Sequence, residues 1–366
     1  MTRSEEIEVK VARVRELLRA RELAAVAFGT QANFAWITGG GDNHVGLASE
    51  GGVATVVVTA DGRHVVTSNI EADRVATEEI ADCGFELHAH PWHADELPGL
   101  IARLAGGGPV GADQSLAGAT NLAGDLARLR WQLLPPEVER YRKVGETVVG
   151  LLEVTAREVS PGMSELEIAG RLAGRCFDAG LLLSICLVAA DDRAYRYRHP
   201  VPTARAVDRH AMLVVGARRW GLAISATRLV HFGPLPTELA RKHEAVCAVD
   251  ACFLTETRPG ARVSEVFRAA CQEYARQGFP DEWRLHHQGG ATGYAAREYR
   301  ATPDSAEVVL EGQAFAWNPS IAGTKSEDTI LVLGTGAETL TPCRDWPTLA
   351  ATYAGHRVER PAILVR

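Results

Sequence analysis

Two apolar runs, Ala211–Gly216 and Gly221–Phe232, are separated only by Ala217-Arg218-Arg219-Trp220, a spacing that predicts a β-hairpin near the middle of the chain. Upstream, Glu5–Arg21 carries apolar residues at helical spacing, and Ala24–Phe28 reads as a strand. The segment Thr30–His44 is polar and glycine-rich, and reads as a loop. Gly51–Thr59 and Arg63–Ser68 flank Asp61-Gly62 as a second hairpin. A helix over Asn69–Ala81, followed by Phe85–His90, Glu96–Ala105 and Val110–Ala112, continues an alternating α/β pattern up to a Pro-Pro breaker at Leu133–Pro136. The predicted organisation is a first domain over 1–134 and a second over 135–366.

The second domain opens with a long helix, Glu137–Val159, and then repeats itself. Pro161-Gly162 precedes Ser164–Ala179 and is closed by Gly180, and Pro259-Gly260 precedes Val263–Gln277 and is closed by Gly278. Ser164 and Glu167 form the sequence signature of a capping box. Strands are predicted at Ser184–Ala189, Gln313–Asn318 and Thr329–Leu333. Two similar helix-then-sheet halves imply an α/β (α+β) fold with pseudo-twofold αββ repeats and a site in the cleft between the sheets.

Composition narrows the function classes. The 366 residues are 46% hydrophobic and 23% charged, enough to bury a sizeable core. A net charge of −7 gives nucleic-acid binding no electrostatic support. No apolar run reaches membrane-spanning length, and the N-terminus is acidic and amphipathic rather than a signal peptide. The 7 cysteines lack CxxC spacing and read as reduced thiols of a cytoplasmic protein.

Candidate chemistry clusters in the second domain. His199 enters the central hairpin on a loop, and Pro200 biases it towards an extended conformation. Its imidazole suits proton transfer near neutral pH. Before it, tyrosine and arginine alternate over Tyr195–Arg198; in a strand this places Arg196 and Arg198 on one face, as a cationic lip for a carboxylate or a solvated edge. His286-His287-Gln288-Gly289-Gly290 offers imidazole, amide and close backbone approach, with His287 the histidine expected to face the cleft. Arg228, His287, Gln288 and the glycine amides are candidate donors to an oxyanion. Tyr294, Arg297 and Glu298 are expected on the next strand, the last two as a functional pair or a plain salt bridge. Asn318 presents a neutral amide. Glu327 is placed to hold a cationic group, orient a base, or pair with Arg228 or Lys325.

These segments resemble the creatinase and aminopeptidase P family, the pita-bread fold. The resemblance rests on His199-Pro200 with the hairpin ending in Thr227-Arg228, on His286–Gly290 with Gly293-Tyr294, on Trp317-Asn318-Pro319, and on Ser326–Val332, covering roughly 136–366. Metal-dependent members hold two metal ions with two Asp, one His and two Glu. Those positions fall here on Val214, Ser225, Gly290 and Asn318, and only Glu327 keeps a ligand side chain. Such a set cannot hold a hard divalent ion tightly, so no metal or cofactor is expected. The resemblance to the metal-free creatinase branch makes His199 the base. Creatinase's carboxylates are missing at Thr227 and Asn318, which argues against a guanidinium substrate.

The reading is a metal-independent hydrolase of a C–N bond in a small amide, amidine or amino-acid-like compound. Its catalytic groups would be His199, Glu327 and His287, and its substrate-binding groups Arg198, Arg228, Gln288, Asn318, Tyr294 and Ser225. A non-catalytic peptide- or ligand-binding relative, a metal-free lyase or isomerase and, less readily, an Xaa-Pro type metallopeptidase stay open. The resemblance further implies a homodimer in which Thr30–His44 reaches the partner's cleft.

Overall fold

The computed structural model describes residues 1–334 and 336–366, in two compact units: Met1–Arg140 with Trp220–Leu222, and Tyr141–Arg219 with Ala223–Arg366. The first unit begins with α1 (Arg3–Ala20), started by a capping box in which the Thr2 hydroxyl accepts from the Glu5 amide while the Glu5 carboxylate accepts from the Thr2 amide. Ile7, Val11, Val14 and Leu18 bury one stripe of this helix. The same stripe buries Lys10, whose ammonium is held by Glu6 at 2.6 Å, Glu137 at 2.8 Å and the Trp36 carbonyl at 2.7 Å.

The remaining elements of this unit are β1 (Ala25–Thr30), α2 (Gln31–Ile37), β2 (Gly51–Thr59), β3 (Arg63–Ser68), α3 (Ala72–Arg74), β4 (Glu86–His90), α4 (Leu97–Leu104), β5 (Val110–Ala112), β6 (Ala119–Asn121) and α5 (Ala123–Leu129). They build one mixed sheet in the order β4-β3-β2-β1-β5-β6. Two sequence expectations are corrected. Thr30–His44 is not all loop, because the Thr30 side chain caps α2 and Asn33 donates to the Asp113 carboxylate at 2.8 Å, so the polar residues are consumed internally. The Asn69–Ala81 helix shrinks to α3 and a π-helical turn over Val75–Glu79.

The second unit takes up α6 (Pro135–Glu158) from Tyr141 onward. The Pro-Pro pair starts this helix rather than preceding it, because a first-turn proline forfeits no helical hydrogen bond. Then follow α7 (Glu165–Asp178), β7 (Leu182–Ala190), α8 (Asp192–Arg196), β8 (His210–Arg219), β9 (Leu222–His231), α9 (Thr237–Glu256), α10 (Val263–Arg276), β10 (Gly289–Thr292), β11 (Tyr299–Arg300), β12 (Ala314–Trp317), β13 (Ser320–Ile321), β14 (Thr324–Lys325), β15 (Asp328–Leu333), β16 (Gly336–Thr339), β17 (Thr348–Tyr353), β18 (His356–Pro361) and β19 (Leu364–Val365). The repeat is visible as α6–α7 before the sheet β19-β9-β8-β7, and α9–α10 before the sheet β11-β10-β12-β15-β16. Gly180 and Gly278 both sit at positive φ, +70° and +86°, where helices α7 and α10 end. The β8–β9 turn has Trp220 and Gly221 at φ 53° and 78°, the two left-handed residues of a tight hairpin.

Asp191–Arg198 is not a strand. Asp191 turns at φ 50° and its carboxylate accepts from the amides of Asp208, Arg209 and His210, which closes a loop and lets α8 form. Tyr294, Arg297 and Glu298 lie on an irregular segment rather than a strand.

A buried ion network crosses both halves of this unit. Asp328 accepts from Arg228 at 3.1 Å and from Arg360 at 2.7 Å; Arg228 also reaches Glu153 at 3.1 Å, and Arg360 reaches Asp250 at 2.6 Å. Removing one member strands a charge in the interior. Arg228→Ala is therefore expected to lower the unfolding free energy by about 3–5 kcal/mol in urea denaturation. A loss below about 1 kcal/mol, the scale of surface pairs, would show the network to be inert.

His210 and His243 are buried, and burial drives both imidazoles down to about 4. The unfolded chain titrates them near 6.5 and so binds more protons between those values. Their contribution is complete above pH 6.5 and is lost as pH falls towards 4. Denaturation midpoints measured across this range should drop on acidification; midpoints independent of pH would contradict the buried neutral state.

Candidate functional site

Five of the residues singled out in the sequence line one cavity of about 310 Å³ in the second unit: His199, Ser225, His287, Asn318 and Glu327. Ile185, Leu187, Val214 and Val215 form its apolar wall, and Arg297, Arg300 and Lys325 bring positive charge. The loop bearing His199 is clamped from below by Glu165 in the first turn of α7. That carboxylate accepts from the Ala190 and Thr203 amides and the Thr203 hydroxyl, and pairs with Arg193 at 2.8 Å. With Asp191 holding the far side, an exposed histidine stands on a fixed loop.

A chain of polar contacts runs outward from His199. Its Nε2 lies 3.2 Å from Nε2 of His286, whose Nδ1 lies 3.2 Å from the Ser320 hydroxyl; that hydroxyl accepts from Arg198 at 3.2 Å. Arg198 is itself ion-paired with Glu282. Arg198 therefore stands behind the histidines rather than lining the cavity, which corrects its expected substrate contact. Arg228 is corrected too, since it points to the opposite side of β9 and is spent on Glu153 and Asp328. Gln288 is buried below the site, accepting from the Tyr274 hydroxyl at 2.8 Å and donating to the His286 carbonyl. Tyr294 is buried and does not line the cavity.

The electrostatics favour neutral imidazoles and a bound anion. Burial, then the Lys325 ammonium, lowers the His199 pKa below its ordinary 6.5. Burial, then Arg297, drives His287 down to about 4. Glu327 is the one carboxylate lining the cavity among the described residues, and Lys325 at 2.8 Å and the Thr227 hydroxyl at 2.6 Å both hold its Oε2. Its pKa is lowered because these partners outweigh its burial. Arg297 sits 3.9 Å from Glu327, and burial lowers its pKa, the mark of a cation without enough counter-charge. Arg297 Nε, Asn318 Oδ1 and His287 Nδ1 are buried with no hydrogen-bond partner among the described residues, and all three side chains line the cavity. The sequence offers Arg297 only as a partner of Glu298 and gives no sign of Arg300: Arg297 lies on an irregular segment and Arg300 ends a two-residue strand, too short for a periodic signal.

The family's dinuclear metal does not fit this lining. Val214 is apolar, and Lys325 places a cation on the remaining carboxylate. At Gly290 a side chain has no room, since a Cβ would lie 2.3 Å from the Tyr299 carbonyl oxygen. The glycine pair thus serves the close approach of β11 and β12 rather than a ligand. His199, His286 and His287 do bring three imidazole nitrogens within 4.8 Å of one another, which is a set able to hold a soft divalent ion.

Residues 139–334 match the model of metallopeptidase family M24, and residues 10–144 match the creatinase/prolidase N-terminal domain. The chain belongs to metallopeptidase family M24. Against an uncharacterized peptidase of Staphylococcus aureus (strain MW2), this M24 chain is 21% identical over 214 residues, which is 56% of its length and 61% of the relative's. Against the agropine synthesis cyclase of Rhizobium rhizogenes it is 30% identical over 115 residues, 30% of this chain and 29% of that one. An Xaa-Pro dipeptidase from Bacillus anthracis superposes with TM-score 0.78 at 16% identity, covering 98% of this chain and 100% of the other. At that identity the likeness establishes the pita-bread fold and the creatinase-like first domain.

Proposed function

We propose that this M24 chain hydrolyses a C–N bond of a small amino-acid-like compound without a metal, with His199 as general acid and base. The observation that carries the reading is the pairing of neutral imidazoles with an under-compensated guanidinium in one cavity. Arg297, with Arg300 and Lys325 beside it, would receive the carboxylate of the substrate. Asn318 Oδ1 would accept from a substrate N–H.

His286 fixes how His199 can work. With Ser320 accepting from Arg198, His286 can donate Nδ1–H to Ser320 and accept from His199 Nε2–H. In that tautomer His199 keeps its lone pair on Nδ1. The base takes a proton from water as the oxygen attacks the carbonyl or amidine carbon, and the resulting imidazolium returns it to the departing nitrogen as the C–N bond breaks. Lys325 would stabilise the developing negative charge. Glu327 holds Lys325 rather than taking part in proton transfer.

A second reading comes from the cyclase relative. The same base would serve an intramolecular ring closure that expels a small group, and mass spectrometry of the product separates this from hydrolysis by the presence or absence of an added water.

His199→Ala is expected to lower kcat by roughly 10²–10⁴-fold with the fold intact by circular dichroism. The acid limb of the wild-type pH–rate profile should lie below the ordinary histidine value of 6.5, since activity needs the neutral ring and is lost as pH falls through the lowered pKa. Dialysis against a chelator should leave the rate unchanged. A rate restored only by added divalent ion would overturn the metal-free assignment, and full activity in His199→Ala would overturn the base.

Arg297→Ala should act mainly through KM for a carboxylate substrate and little for its uncharged amide. Equal effects on both would remove the carboxylate from the proposed recognition. The homodimer implied by the resemblance is tested by light scattering at micromolar concentration, where only monomer would refute it.

A further inference from the structure

The first unit carries a second cluster of ligating side chains that the proposed reaction does not use. β4 is the edge strand of its sheet and runs parallel to β3, with His64 opposite Glu86. His88 follows Glu86 by two positions on the same strand, so all three side chains emerge from one face. His64 Nδ1 lies 3.1 Å from His88 Nε2 and 3.3 Å from one Glu86 oxygen, and His88 Nε2 lies 3.7 Å from the other oxygen.

These separations have a chemical meaning. Zinc–nitrogen and zinc–oxygen bonds of about 2.0–2.2 Å in a tetrahedron place neighbouring ligand atoms roughly 3.3–3.6 Å apart. One ligand atom from each of the three residues lies within 4.8 Å of the others, with the two imidazole nitrogens facing the two oxygens of the Glu86 carboxylate, close enough to converge on one ion. Gly62 keeps His64 in this pose, because a Cβ there would lie 2.4 Å from His64 Nε2. The Nε2 edge is packed against the glycine and Nδ1 is turned to the cluster. The histidine side chains are largely covered, 15% and 23% exposed, while Glu86 is 67% exposed and leaves the fourth corner open to water.

We propose that His64, Glu86 and His88 form a mononuclear site for a borderline transition-metal cation, zinc above all. Two imidazoles and one carboxylate select such an ion over magnesium or calcium, which take oxygen ligands. The ion ties the edge strand β4 to β3 and covers an otherwise open sheet edge. The site is separate from the cavity of the second unit, and the reaction proposed there does not depend on it.

The test is isothermal titration of the chain, stripped on chelating resin, with zinc chloride. One saturable equivalent is expected in a His199→Ala/His287→Ala double variant, which removes the competing imidazole cluster. His88→Ala and Glu86→Gln should each weaken it at least about tenfold. Both side chains are partly exposed, so these variants avoid the folding risk of His64→Ala. Zinc should also slow hydrogen exchange of the β4 amides in the wild type and not in His88→Ala. Absence of a saturable equivalent, unchanged affinity in both edge-strand variants, or loss of binding in the His199/His287 double variant would each overturn the assignment.

Discussion

Asp328 is the residue on which the second unit depends. It is buried and shared by two arginines, Arg228 from the first half of the repeat and Arg360 from the chain's closing hairpin. Those arginines in turn hold Glu153 on α6 and Asp250 on α9, the long helices that open the two halves. Such a network repays its desolvation best where each charge is paired and hydrogen-bonded, and here Thr341 donates to Asp328 and Ser326 to Asp250 Oδ2, while Asp250 Oδ1 is left without a partner among the described residues. The network also sets the cavity. Side chains alternate along an extended chain, so anchoring Asp328 behind the sheet turns Glu327 to the front. Thr227 and Arg228 obey the same alternation, and Thr227 donates to Glu327 while Arg228 serves Asp328.

On the front face, Lys325 neutralises Glu327. It does so with one charge fixed to the backbone, and it leaves Arg297 without a full partner. A guanidinium in that state carries a desolvation cost that its counter-charge does not cover. Burial first, and then the surrounding cations, lower the pKa values of His199 and His287.

Most of this architecture was legible from the sequence because it is periodic. The hairpins around Asp61-Gly62 and Trp220-Gly221, the paired Pro-Gly…Gly helices and the buried β15 run follow from alternation and capping, which are local. Five cavity residues were legible because His199, Ser225, His287, Asn318 and Glu327 occupy family positions. The misreadings have a common origin in long-range partners. Arg228 and Gln288 looked like donors near the site, but Asp328 and Tyr274, distant in sequence, had claimed them. Tyr195–Arg198 alternated like a strand until the Asp191 carboxylate folded the chain back on itself. Arg297 and Arg300 gave no pattern at all, because neither an irregular segment nor a two-residue strand has a period to betray which way it faces.

In the second half of the repeat, Gly289 and Gly290 stand at φ +101° and +148°, with carbonyl oxygens of Ala316 and Tyr299 within 2.1–2.3 Å of where a Cβ would lie. A histidine at Gly290 would require β10 to change its backbone conformation and move away from its neighbours. A carboxylate at Val214 or Asn318 would place additional negative charge in the cavity beside Glu327, where Lys325 supplies one compensating charge. The backbone of β10 thus limits what can be added to the cavity as firmly as the side chains that line it do.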